Sequence, residues 1–247
     1  QRRGHPLAVV GIPKTIDNDV PFVSRTFGYL TAVEQSANVM QCAHTECHSV
    51  QNGISLVKLM GREAGFIAAG ASIASQEANF TLIPEVPFKL EGERGFLAAL
   101  KRRVLKRGHA LIVAAEGAGQ DLVKSAGDER DASGNVKLKD IGTFLRQQIE
   151  ACFKAEKIPT TLRYFDPSYM IRSVPANAGD SILCDYFARH AAHAAMAGKT
   201  GLVIGSLHDK FIHVPIDLLA SETKRLDPNG STWHAVLAAT GQPARFE

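Results

Sequence analysis

The chain has 247 residues, 45% of them hydrophobic, and a formal net charge of +3. That length suits one large domain or two small ones with a sizeable core. The small, dispersed charge argues against a nucleic-acid or membrane partner and leaves anionic small molecules open as ligands.

In chain order, Leu7-Ala8-Val9-Val10 reads as a buried strand, stopped by Pro13, which cannot donate to a sheet ladder. The loop from Gly11 to Asp19 therefore lies at the carboxyl end of a strand, where open α/β sheets bind their ligands. Lys14 can neutralise a phosphate. Of Asp17 and Asp19, one can take a proton from a hydroxyl while the other holds a metal or orients a group; ordinary turn-forming carboxylates are the plainer alternative. Thr26 to Val50 reads as a long helix with Leu30, Val33, Ala37, Met40 and Ala43 or His44 on one face. A strand from Gly53 to Leu59 turns at Gly61-Arg62 into a helix of about Ala64 to Glu77. A short strand, Phe80 to Ile83, ends at Pro84. A helix from about Arg94 to Arg107 closes with basic residues that suit its dipole. Ala110 to Ala115 is a buried strand that delivers Glu116 into a glycine-rich turn. Residues 121–137 read as a surface loop, followed by a helix from Lys139 to Lys154 and a strand that begins with Leu162 to Phe165 and ends in the Tyr169–Arg172 segment. A long helix, Asn177 to Gly198, precedes a hairpin of residues 202–205 and 210–214, and Trp233 falls in a last short helix. Strands alternating with helices imply an α/β fold with mostly parallel sheet.

Other features carry competing readings. Met60-Gly61-Arg62 sits at a strand-to-helix turn, where backbone N–H groups and a guanidinium attract anions. Glu116, a carboxylate at the end of a buried strand, needs a partner and can cap the following turn. Arg163, Arg172 and Tyr169 can hold a phosphate together or be ordinary surface residues. Gly198-Lys199-Thr200 looks like the end of a nucleotide phosphate loop, but His193 stands where that motif needs a glycine, so Gly198 reads as a helix cap. His44-Thr45-Glu46-Cys47-His48 offers two histidines one turn apart, with Cys47 between them, but no third ligand is evident. The four cysteines, Cys42, Cys47, Cys152 and Cys184, follow no framework spacing and suit a reducing compartment.

Pro13-Lys14-Thr15-Ile16-Asp17-Asn18-Asp19 resembles the signature loop of the phosphofructokinases. Met60-Gly61-Arg62-Glu63-Ala64-Gly65 and Pro167-Ser168-Tyr169-Met170-Ile171-Arg172-Ser173 resemble two further motifs of that family. Ala194 to Gly201 and Thr240-Gly241-Gln242-Pro243 are similar to others, so the likeness runs from about Val9 to Pro243. It points to the atypical ATP-dependent branch, which is close to the pyrophosphate-dependent enzymes.

The resemblance implies a Rossmann-like, three-layer αβα fold and transfer of a phosphoryl group to the 1-hydroxyl of fructose 6-phosphate in glycolysis. ATP is the expected donor and pyrophosphate the alternative. It implies Asp17 as general base, Lys14 and Arg62 as offsets to the transferring charge, and Asp19 as a residue that organises Mg2+, as a metal ligand, or the loop. Thr15, Ile16, Asp17, Met60, Gly61, Arg62, Glu116, Arg163, Tyr169, Met170, Ile171 and Arg172 are the expected substrate-binding residues, with Arg163 reaching towards a neighbouring subunit. Residues 1–25 are expected to belong to a donor-binding lobe, 26–175 to a sugar-phosphate lobe, and 176–247 to a return segment completing both. A cytoplasmic, allosteric homo-oligomer, dimer or tetramer, is implied. So is a donor-binding part ahead of Gln1, without which the piece itself would be inactive. The short bacterial enzymes carry an arginine where this chain has Gly53, which puts the subunit-crossing phosphate pocket in doubt. A non-catalytic sugar-phosphate-binding subunit and an unrelated metal-binding domain using His44, Cys47 and His48 are the remaining alternatives.

Overall fold

The computed structural model describes residues 7–123, 138–219 and 222–247. The loop expected at 121–137 lies, from residue 124 onward, outside the described residues. The elements are β1 (Val10–Gly11), α1 (Tyr29–His48), β2 (Gly53–Leu59), α2 (Phe66–Ser75), β3 (Phe80–Leu82), α3 (Phe96–Arg107) and β4 (His109–Ala115). They continue with α4 (Ile141–Ala155), β5 (Thr161–Phe165), α5 (Ser168–Arg172), α6 (Ala178–Met196), β6 (Leu202–Leu207), β7 (Lys210–Pro215), α7 (Ile216–Leu219) and α8 (Ser231–Thr240). Among the described residues no helix is long and apolar enough to cross a membrane. The chain divides into two compact units, Gln1–Ala32 with Val174–Lys224, and Val33–Ser173 with Arg225–Glu247.

The second unit is built on a four-stranded sheet in the order β3-β4-β2-β5, parallel throughout. Parallel strands need crossovers, and helices supply them here, covering both faces. That coverage explains why β2 and β4 are buried almost end to end. Ile54, Leu56, Ala110, Ile112 and Ala114 share a core with Phe96, Leu100 and Val104 of α3 and Leu145, Ile149 and Phe153 of α4. On the other face the Ser55 hydroxyl donates to the Ala43 carbonyl of α1 at 2.7 Å. The result is the three-layer αβα arrangement the sequence implies. Asp140 caps α4, accepting from the N–H groups of Gly142 and Thr143 at 3.1 and 3.3 Å.

The first unit has a three-stranded sheet, β1-β6-β7. β1 lies parallel to β6, and the expected hairpin is the antiparallel pair β6 and β7. Val23, Leu183, Phe187, Ala194, Leu202 and Ile204 form its core. The carboxylate of Asp180 accepts from the Thr31 N–H at 2.7 Å and from the Thr31 hydroxyl at 2.6 Å, tying the start of α6 to the start of α1.

Three readings need correction. The expected buried strand at Leu7–Val10 is not buried: only Val10–Gly11 pair, on the edge of β6, while Leu7 is 63% and Val9 52% exposed. Of the expected α1 face, Ala37, Met40 and Ala43 are buried, but Leu30 and Val33 are only half-buried, and Ala32, Ser36 and Cys47 complete the buried side. Small side chains let the helix lie close to the sheet, so its contact face is the small one. The Tyr169 segment, read as the end of a strand, forms the one-turn helix α5. The capping role of Gly198 stands: at φ +71° it comes one residue past the end of α6, after Ala197, and donates to Ala195 O at 3.0 Å.

Candidate active site

The register of the four-stranded sheet aligns the carboxyl ends of β2, β4 and β5, with Leu59 opposite Ala115 and Val57 opposite Phe165. Three candidate segments leave from that end: Met60-Gly61-Arg62, Glu116-Gly117, and Asp166 through Arg172. The first two are stitched together. The Glu116 N–H donates to Leu59 O at 2.8 Å and the Gly117 N–H to Gly61 O at 2.9 Å. A Cβ on Gly117 would lie 1.8 Å from the Arg62 carbonyl oxygen, so the approach requires glycine. Gly61, at φ +121°, is held in a conformation that side chains disfavour. Met60 is buried, and Arg62 and Glu116 are half-buried beside it.

Glu85 fixes the start of α2 behind this turn. Its carboxylate accepts from the Gly65 N–H at 3.0 and 3.1 Å and from the Leu226 N–H at 2.9 Å.

The third segment is positioned by charge. Lys58, near the end of β2, reaches Asp166 at 2.8 Å and Asp140 at 3.4 Å. Burial opposes the Lys58 ammonium, but the hydrogen bond to Asp166 and the nearby carboxylates outweigh it and hold its pKa above the ordinary value. Burial likewise opposes the ionised forms of Asp140 and Asp166. Hydrogen bonds from Thr143 to Asp140, from Lys58 and Ser168 to Asp166, and the Lys58 charge keep both pKa values below the usual carboxylate range. Tyr164, whose hydroxyl donates to Asp140 at 3.3 Å, is pushed up to about 12, first by burial. From Asp166, which also accepts from the Ser168 hydroxyl, the chain enters α5. There the Arg172 guanidinium stacks 5.1 Å above the Tyr169 ring. Tyr169 and Met170 are 81% and 67% exposed, whereas Ile171 is 3% exposed and its side chain turns into the protein.

Arg163 does not join this group. It lies in mid-strand opposite Ser55, on the face that carries α1, and its guanidinium pairs with Glu46 of α1 at 3.0 Å. At Gly53 a Cβ would fall 2.1 Å from Cys47 O, so the backbone itself excludes an arginine.

In the first unit the signature loop is an excursion from one strand. β1 pairs with Leu202 and Val203 of β6, and the chain then returns to the same strand, where the Ser206 N–H donates to Phe22 O at 3.0 Å and the Ser24 N–H to Ser206 O at 2.6 Å. Inside the loop Pro13 and Asn18 are buried. Asn18 sits at φ 60° and accepts from the Thr26 N–H at 3.0 Å. Such a left-handed turn suits asparagine among the larger residues. The Asp17 N–H donates to the Thr15 hydroxyl at 3.1 Å. Thr15, Ile16, Asp17 and Asp19 are half-buried, and Lys14 is exposed.

Sequence reasoning missed Lys224, which clamps this loop. Its N–H donates to Asp19 O at 2.9 Å and its ammonium to Val23 O and Ser24 O at 2.8 and 3.1 Å. Burial lowers its pKa to about 8, against the attraction of Asp19. No motif marks it, because the contact spans some two hundred positions of sequence.

A family model described as phosphofructokinase matches residues 1–195. The chain belongs to the phosphofructokinase family. Among curated relatives, it is 48% identical to the ATP-dependent 6-phosphofructokinase of Borreliella burgdorferi, over 98% of this chain and 56% of that protein. It is 47% identical to the ATP-dependent 6-phosphofructokinase of Amycolatopsis methanolica, over 99% of this chain and 54% of that protein. The chain thus spans about half the length of the curated relatives it matches. Among solved structures, the pyrophosphate-dependent phosphofructokinase of Marinobacter aquaeolei superposes with a TM-score of 0.73 at 22% identity, over 97% of this chain and 61% of that one. At that identity the likeness bears on the fold, and the phosphofructokinase architecture is what the sheet order and register described above express.

Proposed function

We propose that the phosphofructokinase to which this chain belongs transfers a phosphoryl group from ATP to the 1-hydroxyl of fructose 6-phosphate. The observation that carries this reading is the convergence of Met60-Arg62, Glu116 and Tyr169-Arg172 on the carboxyl end of one parallel sheet. Arg172 and the Tyr169 hydroxyl are suited to the sugar's 6-phosphate, one as a charged donor and one as a neutral one. Glu116 is suited to accept from sugar hydroxyls. Arg62 and Lys14 offset negative charge on the transferring group, and Asp17 takes the proton from the attacking hydroxyl. Little covalent work falls to the protein, so positioning and electrostatics supply most of the rate. Relatives named ATP-dependent support ATP over pyrophosphate.

Magnesium fits the residues present. A single carboxylate with phosphate oxygens and water is an ordinary donor set for Mg2+; the half-buried Asp19, whose charge also attracts the Lys224 ammonium, would supply that carboxylate. Bound there, Mg2+ would offset charge on the donor's phosphates. The same reading extends to a cytoplasmic, allosteric homo-oligomer; all four cysteines are free, as suits a reducing compartment.

Steady-state assays of the full-length protein, with fructose 6-phosphate and either ATP or pyrophosphate, test the proposal. Formation of fructose 1,6-bisphosphate with ATP and Mg2+ is expected. Turnover with pyrophosphate alone would move the chain to the other donor class. No turnover with either, together with retained sugar-phosphate binding, would favour a non-catalytic binding subunit.

A further inference from the structure

Three histidines with no part in the proposed reaction meet at the amino end of the second unit's sheet. His44 and His48 lie one turn apart near the end of α1, and His109 is the first residue of β4. The sequence offers the first two as a pair; the fold supplies the third. Their ring nitrogens include one from each residue that all lie within 4.8 Å of one another. Ring centroids are 4.5 Å apart for His44 and His48, 5.6 Å for His44 and His109, and 3.7 Å for His48 and His109.

Two of the rings are already oriented in the way metal ligands are. His44 Nδ1 lies 3.0 Å from a Glu77 carboxylate oxygen, and His109 Nδ1 lies 3.1 Å from the Arg107 carbonyl. Each partner accepts, so each Nδ1 carries the proton and each Nε2 keeps its lone pair. A carboxylate or carbonyl behind the ligating imidazole is the usual support at such sites. His48 is exposed and can turn to meet the other two.

We propose that His44, His48 and His109 form a binding site for one divalent transition-metal ion, Zn2+ by preference, completed by water. Three imidazoles suit Zn2+, Cu2+ and Ni2+ and are a poor set for Mg2+ or Ca2+. Burial lowers the pKa of His44 and of His109, which favours the neutral, ligating forms near pH 7. Glu77 offsets part of the ion's charge, while Arg103, which also faces the cluster, opposes it. Cys47 is not a ligand: it is buried and its thiol donates to His44 O at 3.2 Å. β4 runs from His109 to Ala115, so at about 3.3 Å per residue the cluster lies roughly 20 Å from Glu116. The ion would clip the end of α1 to the start of β4, acting on stability rather than on the transferring groups.

The test is calorimetric titration of the chelator-stripped full chain with Zn2+, followed by Co2+ absorption as a reporter of geometry. One ion per chain, a tetrahedral Co2+ spectrum and a rise in Tm on the order of 5 °C with Zn2+ at a hundredfold excess over Kd are expected. Glu77→Gln should weaken binding about 10–100-fold, and His48→Ala or His109→Ala should weaken it further. His48 is exposed, so its replacement does not put folding at risk. No binding to the wild-type chain at millimolar Zn2+ would overturn the proposal. So would affinity unchanged by His48→Ala, or binding abolished by Cys42→Ala instead.

Discussion

Single atoms decide several features of the site. Asp17 is the proposed base, and Asp17→Asn in the full-length protein should lower turnover roughly 10²–10⁴-fold with little change in sugar affinity. Steady-state kinetics near the wild-type rate would remove Asp17 from the mechanism. Arg172 and Arg163 looked equivalent in the sequence and are not so in the structure. Arg172 shares a one-turn helix with Tyr169, whereas Arg163 is engaged by Glu46 on another face of the sheet. Arg172→Ala is therefore expected to weaken fructose 6-phosphate binding by about 1.5–3 kcal/mol and to leave fructose binding almost unchanged. Arg163→Ala should weaken neither in the isolated chain. Calorimetry with both sugars separates the cases, and equal losses for the two sugars would show that Arg172 does not read the phosphate. Gly117→Ala must push on the Arg62 backbone, so it should cost about 1–3 kcal/mol of stability and disturb Arg62 at the same time.

At the scale of elements, most helices and strands were legible, because parallel strands buried on both faces read as apolar runs and caps mark helix ends. What escaped was partnership. The exposure of Leu7 and Val9 depends on how many neighbours an edge strand has, which no periodicity reports. The Thr240-Gly241-Gln242-Pro243 motif proves structural: the Gln242 amide accepts from the Thr81 N–H at 2.6 Å and donates to Thr81 O at 3.2 Å, standing in for a neighbouring strand beside β3. His109 and Lys224 lay far in sequence from the groups they meet. The candidate site itself was legible as motifs, but the stitching of Gly61 to Gly117 was not. The Lys58, Asp140 and Asp166 network gives an element-scale test. Both carboxylates have pKa values below their ordinary 3.8, so their stabilisation is fully present above that pH and fades as pH falls through the lower folded values. The pKa of Lys58 is raised, so its share is present below the ordinary 10.5 and lost only at higher pH. Asp140→Ala should cost about 1 kcal/mol through the lost cap of α4, with a further part from the ion pair. The gap from wild type in urea midpoints should shrink between pH 6 and pH 3. A gap that stayed constant would mean that the charge on Asp140 contributes nothing.

At the scale of the whole molecule, each unit is assembled from two separated stretches of chain, so the first is not complete until Lys224 has been made, nor the second until Arg225–Glu247 has followed. Phe246, near the very end, packs against Phe80 and Phe96 at ring distances of 6.0 and 5.5 Å. The chain's single tryptophan, Trp233, is 2% exposed on α8, whose neighbours are α2 and β3. Its fluorescence therefore reports the second unit, whereas far-UV ellipticity reports the helices of both. Chains of this length with two cores commonly unfold in more than one step. The core around Phe187 is small beside the one around Phe96 and Ile112, so the first unit should yield at lower urea. Ellipticity should begin to fall before tryptophan emission shifts, and fructose 6-phosphate, if held by Glu116, Tyr169 and Arg172, should move the tryptophan transition to higher urea. Coincident curves with one midpoint would refute independent unfolding of the units. A tryptophan transition indifferent to the sugar phosphate, with calorimetry showing that it binds, would place its site outside the second unit.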